Sequence, residues 1–164
     1  MTRAEIENEL RSYPQHKARL ALLQVRAVEI EHEIIEARGK LDDPSGVGAQ
    51  VLDGMPHAHS NASVVERQAE RIEKVDDKIY ALQWELNDVQ AEAFRVGCQV
   101  KRVEAWLSGL TERERMVVEG FYIDGLFLSM VRRRYEDEYR TTLSQRYVKK
   151  IKSCALEKME AVSG

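Results

Sequence analysis

Between Ile72 and Leu107, apolar residues recur at alternating intervals of three and four: Ile72, Val75, Ile79, Leu82, Leu86, Val89, Ala93, Val96, Val100, Val103 and Leu107. This is the a/d stripe of a coiled coil, held for five heptads. Ser63 with Glu66 supplies a capping box at its head and Ser108-Gly109 closes it, so the spacing predicts one helix over 63–108, roughly 70 Å long at 1.5 Å per residue. A stripe this narrow needs a partner. Leu20, Leu23, Ala27, Ile30, Ile34, Ala37 and Leu41 repeat the pattern upstream, until Gly39 and then Asp42-Asp43-Pro44-Ser45-Gly46 end it. The two stripes predict a long antiparallel coiled-coil hairpin in an all-α chain. Surplus seam on the longer arm is left for residues 2–12 or for a second chain. Such a shaft contributes spacing and oligomerisation rather than chemistry, and Trp84 and Trp106 read as packing anchors in it.

The flanks are punctuated more heavily. Thr2 with Glu5 forms a capping box for a short helix over 2–12, and Pro14, which has no N–H to donate, is expected to end or kink it. Residues 42–62 read as a flexible loop by their Gly, Pro and Asp content, and about twenty structureless residues is long for a compact domain. His57 and His59 within it have the His-x-His spacing of a metal pair. The remaining histidines, His16 and His32, lie on the first helix, so a third ligand is lacking and the pair reads as polar loop residues.

Past residue 109 the pattern shortens. Thr111 with Glu114 is a third capping box and opens a helix over 111–122 with Met116, Val117, Phe121 and Tyr122 inward. Asp124-Gly125 marks a turn. Residues 126–139 read as a helix with Leu128, Val131 and Tyr135 inward and Arg132, Arg133 and Arg134 partly outward. Arg140-Thr141-Thr142-Leu143 leads to Ser144, a good N-cap for a helix over 144–159 whose buried stripe is Val148, Ile151, Ala155 and Met159. Gln145, Arg146, Lys149, Lys150, Lys152 and Ser153 fall off that stripe. An ordinary solvated face would look the same, so the surrounding order decides. Short helix, turn, helix, turn, capped basic helix is the layout of a helix-turn-helix module.

Charge sharpens this picture. The chain is acidic overall, at −3, but residues 126–158 hold nine lysines and arginines against four acids, a local balance of +5 that leaves −8 for the rest. A basic C-terminal module over 110–164 on an acidic helical region over 1–109 suits nucleic acid. Cys98 and Cys154 have no metal-type spacing and suit a reducing cytoplasm. No apolar run approaches the ~18 residues of a membrane span, and MTRAEIENEL is not the pattern of a signal peptide.

Residues 110–160 resemble region 4 of the sigma-70 family of bacterial transcription factors. LTERERMVVEGFYIDG is similar to that family's L-x-E-R-E-x-x-V helix with its Tyr and Asp-Gly turn, and SQRYVKKIKSCALEKM is similar to its recognition helix. With the long helical region and a Met-Pro-containing loop ahead of it, the whole layout resembles phage-encoded late-gene regulators of the RinA/ArpU type. The resemblance implies that Gln145, Arg146 and Lys150 face base edges in the major groove. It implies that Ser144, Tyr147, Lys149 and Lys152, with Arg133 and Arg134, face phosphates, while Val148, Ile151, Ala155 and Leu156 pack inward. Arg146 stands where sigma factors usually carry an acid, which points away from a sigma promoter element. VRRRYEDEYRTTLS is longer than the usual segment before the recognition helix.

The function expected is therefore sequence-specific binding of double-stranded DNA by a phage or prophage transcriptional regulator in the cytoplasm, with RNA polymerase and a second copy of the chain as possible further partners and no membrane. The alternatives are an adaptor that grips a protein such as RNA polymerase, and a DNA-packaging protein of the small-terminase sort. Neither a nucleophile–base pair nor a phosphate-cradling glycine loop nor a metal cluster is present in the sequence, so no enzyme, metal or cofactor is expected.

Overall fold

The computed structural model describes residues 1–42 and 64–163, and every element among them is helical. The elements are α1 (Arg3–Asp42), α2 (Val64–Ser108), α3 (Glu112–Val118) running into a π-helical turn (Glu119–Ile123), α4 (Leu128–Tyr139) and α5 (Gln145–Ser163). Of the loop expected over 42–62 only Asp42 is described, as the last residue of α1; the rest of it, His57 and His59, and the Ser63 cap lie outside the described residues. Contacts gather the chain into two compact units. One holds Met1–Leu22 with Ala93–Gly164 and the other holds Leu23–Glu92.

The 23–92 unit is a helical hairpin. Ile30, Ile34 and Ala37 of α1 bury against Ile79 and Leu82 of α2, with Val75, Leu86 and Val89 packed beside them. These are the a and d positions of both stripes. Ile72, at the far end of the stripe, is exposed. Antiparallel pairing sets g against g, and Arg26 obeys it: its guanidinium reaches Glu85 across the seam at 2.7 Å and Glu33, one heptad on, at 3.4 Å. One flank of this hairpin is thereby charged and bridged. Trp84 is not the anchor expected from its size. It lies at an f position, opposite the seam, and is exposed with Tyr80 edge-on to it at 6.1 Å.

In the other unit the first turns of α1 join the C-terminal helices. Ile6 and Leu10 are completely buried among Val103, Trp106, Leu107, Leu110, Val118, Tyr122, Ala155, Leu156 and Met159. The surplus seam of α2 is thus covered by the chain's own N-terminus, and the core crosses the 109/110 division expected from motifs. Of the two outcomes expected at Pro14, an end to the helix is corrected: the residue lies inside a continuous α1. A proline in a helix interior forfeits one backbone bond and costs ~3 kcal/mol. Burying Ile6 and Leu10 ahead of it contributes ~1.5–3 kcal/mol each, enough to carry the helix through. Glu9–Arg102 at 2.8 Å and Tyr13–Glu104 at 3.3 Å tie the same stretch to α2.

The Thr2 and Thr111 capping boxes form as expected. The Thr2 N–H donates to Glu5 Oε2 at 2.8 Å, and Thr111 and Glu114 exchange bonds in the same way. Burial pushes the Glu114 carboxyl up, but bonds from Lys158 Nζ at 2.7 Å and from the Thr111 backbone and hydroxyl outweigh it, so the group sits below the usual range. A depressed carboxylate contributes stability above its unfolded value of 4.5, which is lost as pH falls through the folded value. Glu114→Gln should therefore lower stability at pH 7, with the gap to the parent chain narrowing in thermal melts taken progressively below pH 4.5.

Candidate nucleic-acid interface

Three helices pack around Val117, Val131, Tyr135 and Val148, with Leu128, Tyr139, Leu143 and Ile151 beside them. Their approach depends on Gly120. A Cβ there would stand 3.1 Å from Val131 Cγ2, so α4 crosses at a point where the π-helical turn after α3 has no side chain. The expected helix over 111–122 ends early as a regular α-helix, at Val118. Beyond it the π-helical turn directs the Asp124 and Leu126 N–H groups to the carbonyls of Glu119 and Gly120, each within 2.9 Å. Gly125 follows at φ +63°, the left-handed region that favours glycine. Arg134 Nη1 closes this turn on Asp124 Oδ2 at 2.6 Å.

The connection into α5 is held at two points. Arg140 ends α4 in the left-handed region at φ 48°, and the Leu143 N–H donates to Glu136 Oε1 at 3.2 Å. Ser144 then caps α5, its hydroxyl accepting from the Tyr147 N–H at 3.2 Å as its sequence position suggests. Val148, Ala155, Leu156 and Met159 are buried and seat the helix. At 100° per residue, Arg146, Lys149, Lys150 and Ser153 turn away from that stripe.

Five of the candidate residues come together here. Ser144, Arg146, Tyr147, Lys149 and Lys150 line one open depression of about 500 Å³ at the head of α5. All are exposed, as is Gln145. Among the described residues Arg133, Arg146, Lys149 and Lys150 make no ion pair, so their charges are unspent. The first acid on α5 is Glu157, three turns on, where it accepts from Ser153 at 3.2 Å. Free N–H groups of the first turn add to the positive potential at this end.

Two candidates are placed differently. Arg134 is committed to Asp124. Lys152, four residues after Val148, comes round to the edge of the buried stripe, and its ammonium lies 5.2 and 5.3 Å from the Phe121 and Tyr122 ring centroids. It is half-buried and packs α5 onto the π-helical turn. Tyr122 takes a second cation, the Arg11 guanidinium, at 5.7 Å. Burial and then the Glu7 charge push its hydroxyl up to about 12, yet the oxygen is buried without a hydrogen bond of good geometry. A buried hydroxyl without a partner costs ~1–3 kcal/mol. Tyr122→Phe should accordingly hold or raise the melting temperature, and it should remove the latest-titrating tyrosine from an alkaline absorbance titration.

Among the described residues no helix is long and apolar enough to cross a membrane, and no group of three or more His, Cys, Asp or Glu is placed to hold a metal ion. Gly120, the π-helical turn and the Arg140 corner were missed by the periodicity. Only Gly120 had a signal in the sequence, as a glycine inside an apolar helical run. Comparison with protein-family models, curated proteins and solved structures finds no match to this chain.

Proposed function

We propose that the chain is a sequence-specific DNA-binding transcriptional regulator, of the phage or prophage kind, that reads double-stranded DNA with a C-terminal helix-turn-helix. The observation that carries this reading is the exposed, unpaired set Arg146, Lys149 and Lys150, with Gln145, on the capped first turns of α5. In this mechanism the head of α5 enters the major groove. Arg146 and Gln145 meet base edges, where a guanidinium matches guanine O6 and N7 and a carboxamide matches adenine N6 and N7. Lys149, Tyr147 and the first-turn N–H groups meet phosphates and set register. Arg133, on the helix before the turn, adds a flanking phosphate contact. No catalytic step is assigned to the chain.

The test is selection of bound sequences from random duplex DNA, followed by affinity measurement at 50 and 200 mM salt. A consensus motif whose binding falls steeply with salt is the expected result. A second reading, an adaptor that contacts a protein such as RNA polymerase, is favoured by Phe127 and Met130, both exposed at the start of α4. Absence of duplex binding at 50 mM salt, together with loss of polymerase binding in Phe127→Ser, would move the assignment to it.

A further inference from the structure

The hairpin of residues 23–92 has two unlike flanks. The g and c positions carry Arg26, bridged to Glu29, Glu33 and Glu85, and Asp88. On the opposite flank the e and b positions bring Gln24, Val28 and Ile35 of α1 alongside Tyr80, Gln83 and Asn87 of α2, because antiparallel pairing sets e against e. Val28 and Ile35 are each 65% exposed, Tyr80 is 62% exposed, and Trp84, edge-on to Tyr80, is 57% exposed. Residues that hold an a/d seam do not account for these four. We infer that this flank binds a second copy of the chain, so that two hairpins join into a four-helix bundle.

Three observations favour a second copy as occupant. The first is area. The four apolar side chains expose roughly 400 Å², scaled from the 150–250 Å² of a buried aromatic, about half of the ~800 Å² that each partner gives a standard interface. The second is self-complementarity. A two-fold axis along the hairpin lays α1 of one copy antiparallel on α2 of the other. With levels set by the Arg26–Glu85 pair, Val28 then falls level with the second copy's Gln83 and Trp84, and Ile35 lies one turn from its Tyr80. The third is charge. The same operation brings Arg38 near the second copy's Asp76, a pair of opposite charges at e positions, and the symmetry repeats it.

The experiment is sedimentation equilibrium on the full chain between 1 and 100 µM, with no DNA present, so its outcome is separate from that of the DNA-binding reading. A two-copy mass is expected at the upper concentrations. Trp84→Glu should raise the dimer dissociation constant about 30-fold or more, the factor that corresponds to a central interface residue, with helicity by circular dichroism unchanged. Leu22→Glu is the control, since Leu22 is 67% exposed at a c position on the Arg26 side, and it should leave the mass at two copies. A monomer at 100 µM, a mass above two copies, a Trp84→Glu variant that stays dimeric, or a Leu22→Glu variant that dissociates would each overturn the inference. The dilution series of the unaltered chain decides whether it self-associates, whatever the folding of either variant.

Discussion

Replacing Arg146, Lys149 and Lys150 together by alanine is expected to remove sequence-specific duplex binding while leaving the melting temperature within about 1–2 °C of the parent chain. All three side chains are exposed and make no ion pair among the described residues, and surface changes of this kind stay within about ±0.5 kcal/mol. The binding loss combines two effects. A lost bidentate base contact at Arg146 is worth ~1–3 kcal/mol of discrimination. The lost phosphate contact at Lys149 flattens the dependence of log K on log salt by about 0.9, and Lys150 takes a second base-edge contact with it. Single substitutions separate the roles. Arg146→Ala should relax preference at one base position, whereas Lys149→Ala should weaken specific and random duplexes about equally. Fluorescence anisotropy over a salt series reads both. If the triple variant binds its selected site as tightly as the parent, α5 is not the reading element.

Leu10→Ala is expected to be the most destabilising single change at the N-terminal end. Leu10 is completely buried against α2, α3 and α5, and truncating such a leucine costs ~2–5 kcal/mol through lost transfer energy and the cavity left behind. For a chain of this size that corresponds to a fall of about 5–15 °C in the melting temperature. The same argument predicts that a fragment starting at residue 110 is not stably folded. It would expose the faces of Val118, Tyr122, Ala155, Leu156 and Met159 that Ile6, Leu10, Val103 and Trp106 cover. A cooperative melt from that fragment, at a temperature near that of the full chain, would show that the cover is dispensable.

The parts of the fold that were legible in the sequence are those governed by local chemistry or by a long period. The a/d stripe of α2 is one, because eleven positions agree on a single face. The Thr2, Thr111 and Ser144 caps are others, because a hydroxyl satisfies a first-turn N–H wherever a helix begins, and at Thr2 and Thr111 a carboxylate three residues on accepts from the cap's own N–H. What stayed hidden depends on tertiary partners. Pro14 is a helix stop by local rules, but residues 90 and more away hold Ile6 and Leu10 in place. Trp84 is a different case, since the stripe through Leu82 and Leu86 already places it at the outward f position, against its size. At the candidate interface, Ser144, Arg146, Tyr147, Lys149 and Lys150 were identified as one surface and lie on one surface. Lys152 falls off the buried stripe by spacing, yet its i+4 relation to Val148 carries it to two aromatic rings. The bond from Leu143 to Glu136 spans a corner with no periodic signature at all.

The burial of Ile6 and Leu10 beneath α5 has a kinetic side. Arg3 Nη1 donates to Ser153 Oγ across 150 residues of chain at 3.4 Å, and Met159 closes the same core that Ile6 opens. During synthesis, the first turns of α1 therefore leave the ribosome long before their partners exist. They wait while the rest of the chain is made, at about 5–20 residues per second. The hairpin can zip from neighbouring turns, but the C-terminal core forms only by closing a loop of nearly the whole chain. Contacts of such long range slow folding more than they weaken the final state. Refolding should accordingly run in two phases, with the 23–92 hairpin helical first and Trp106 buried last.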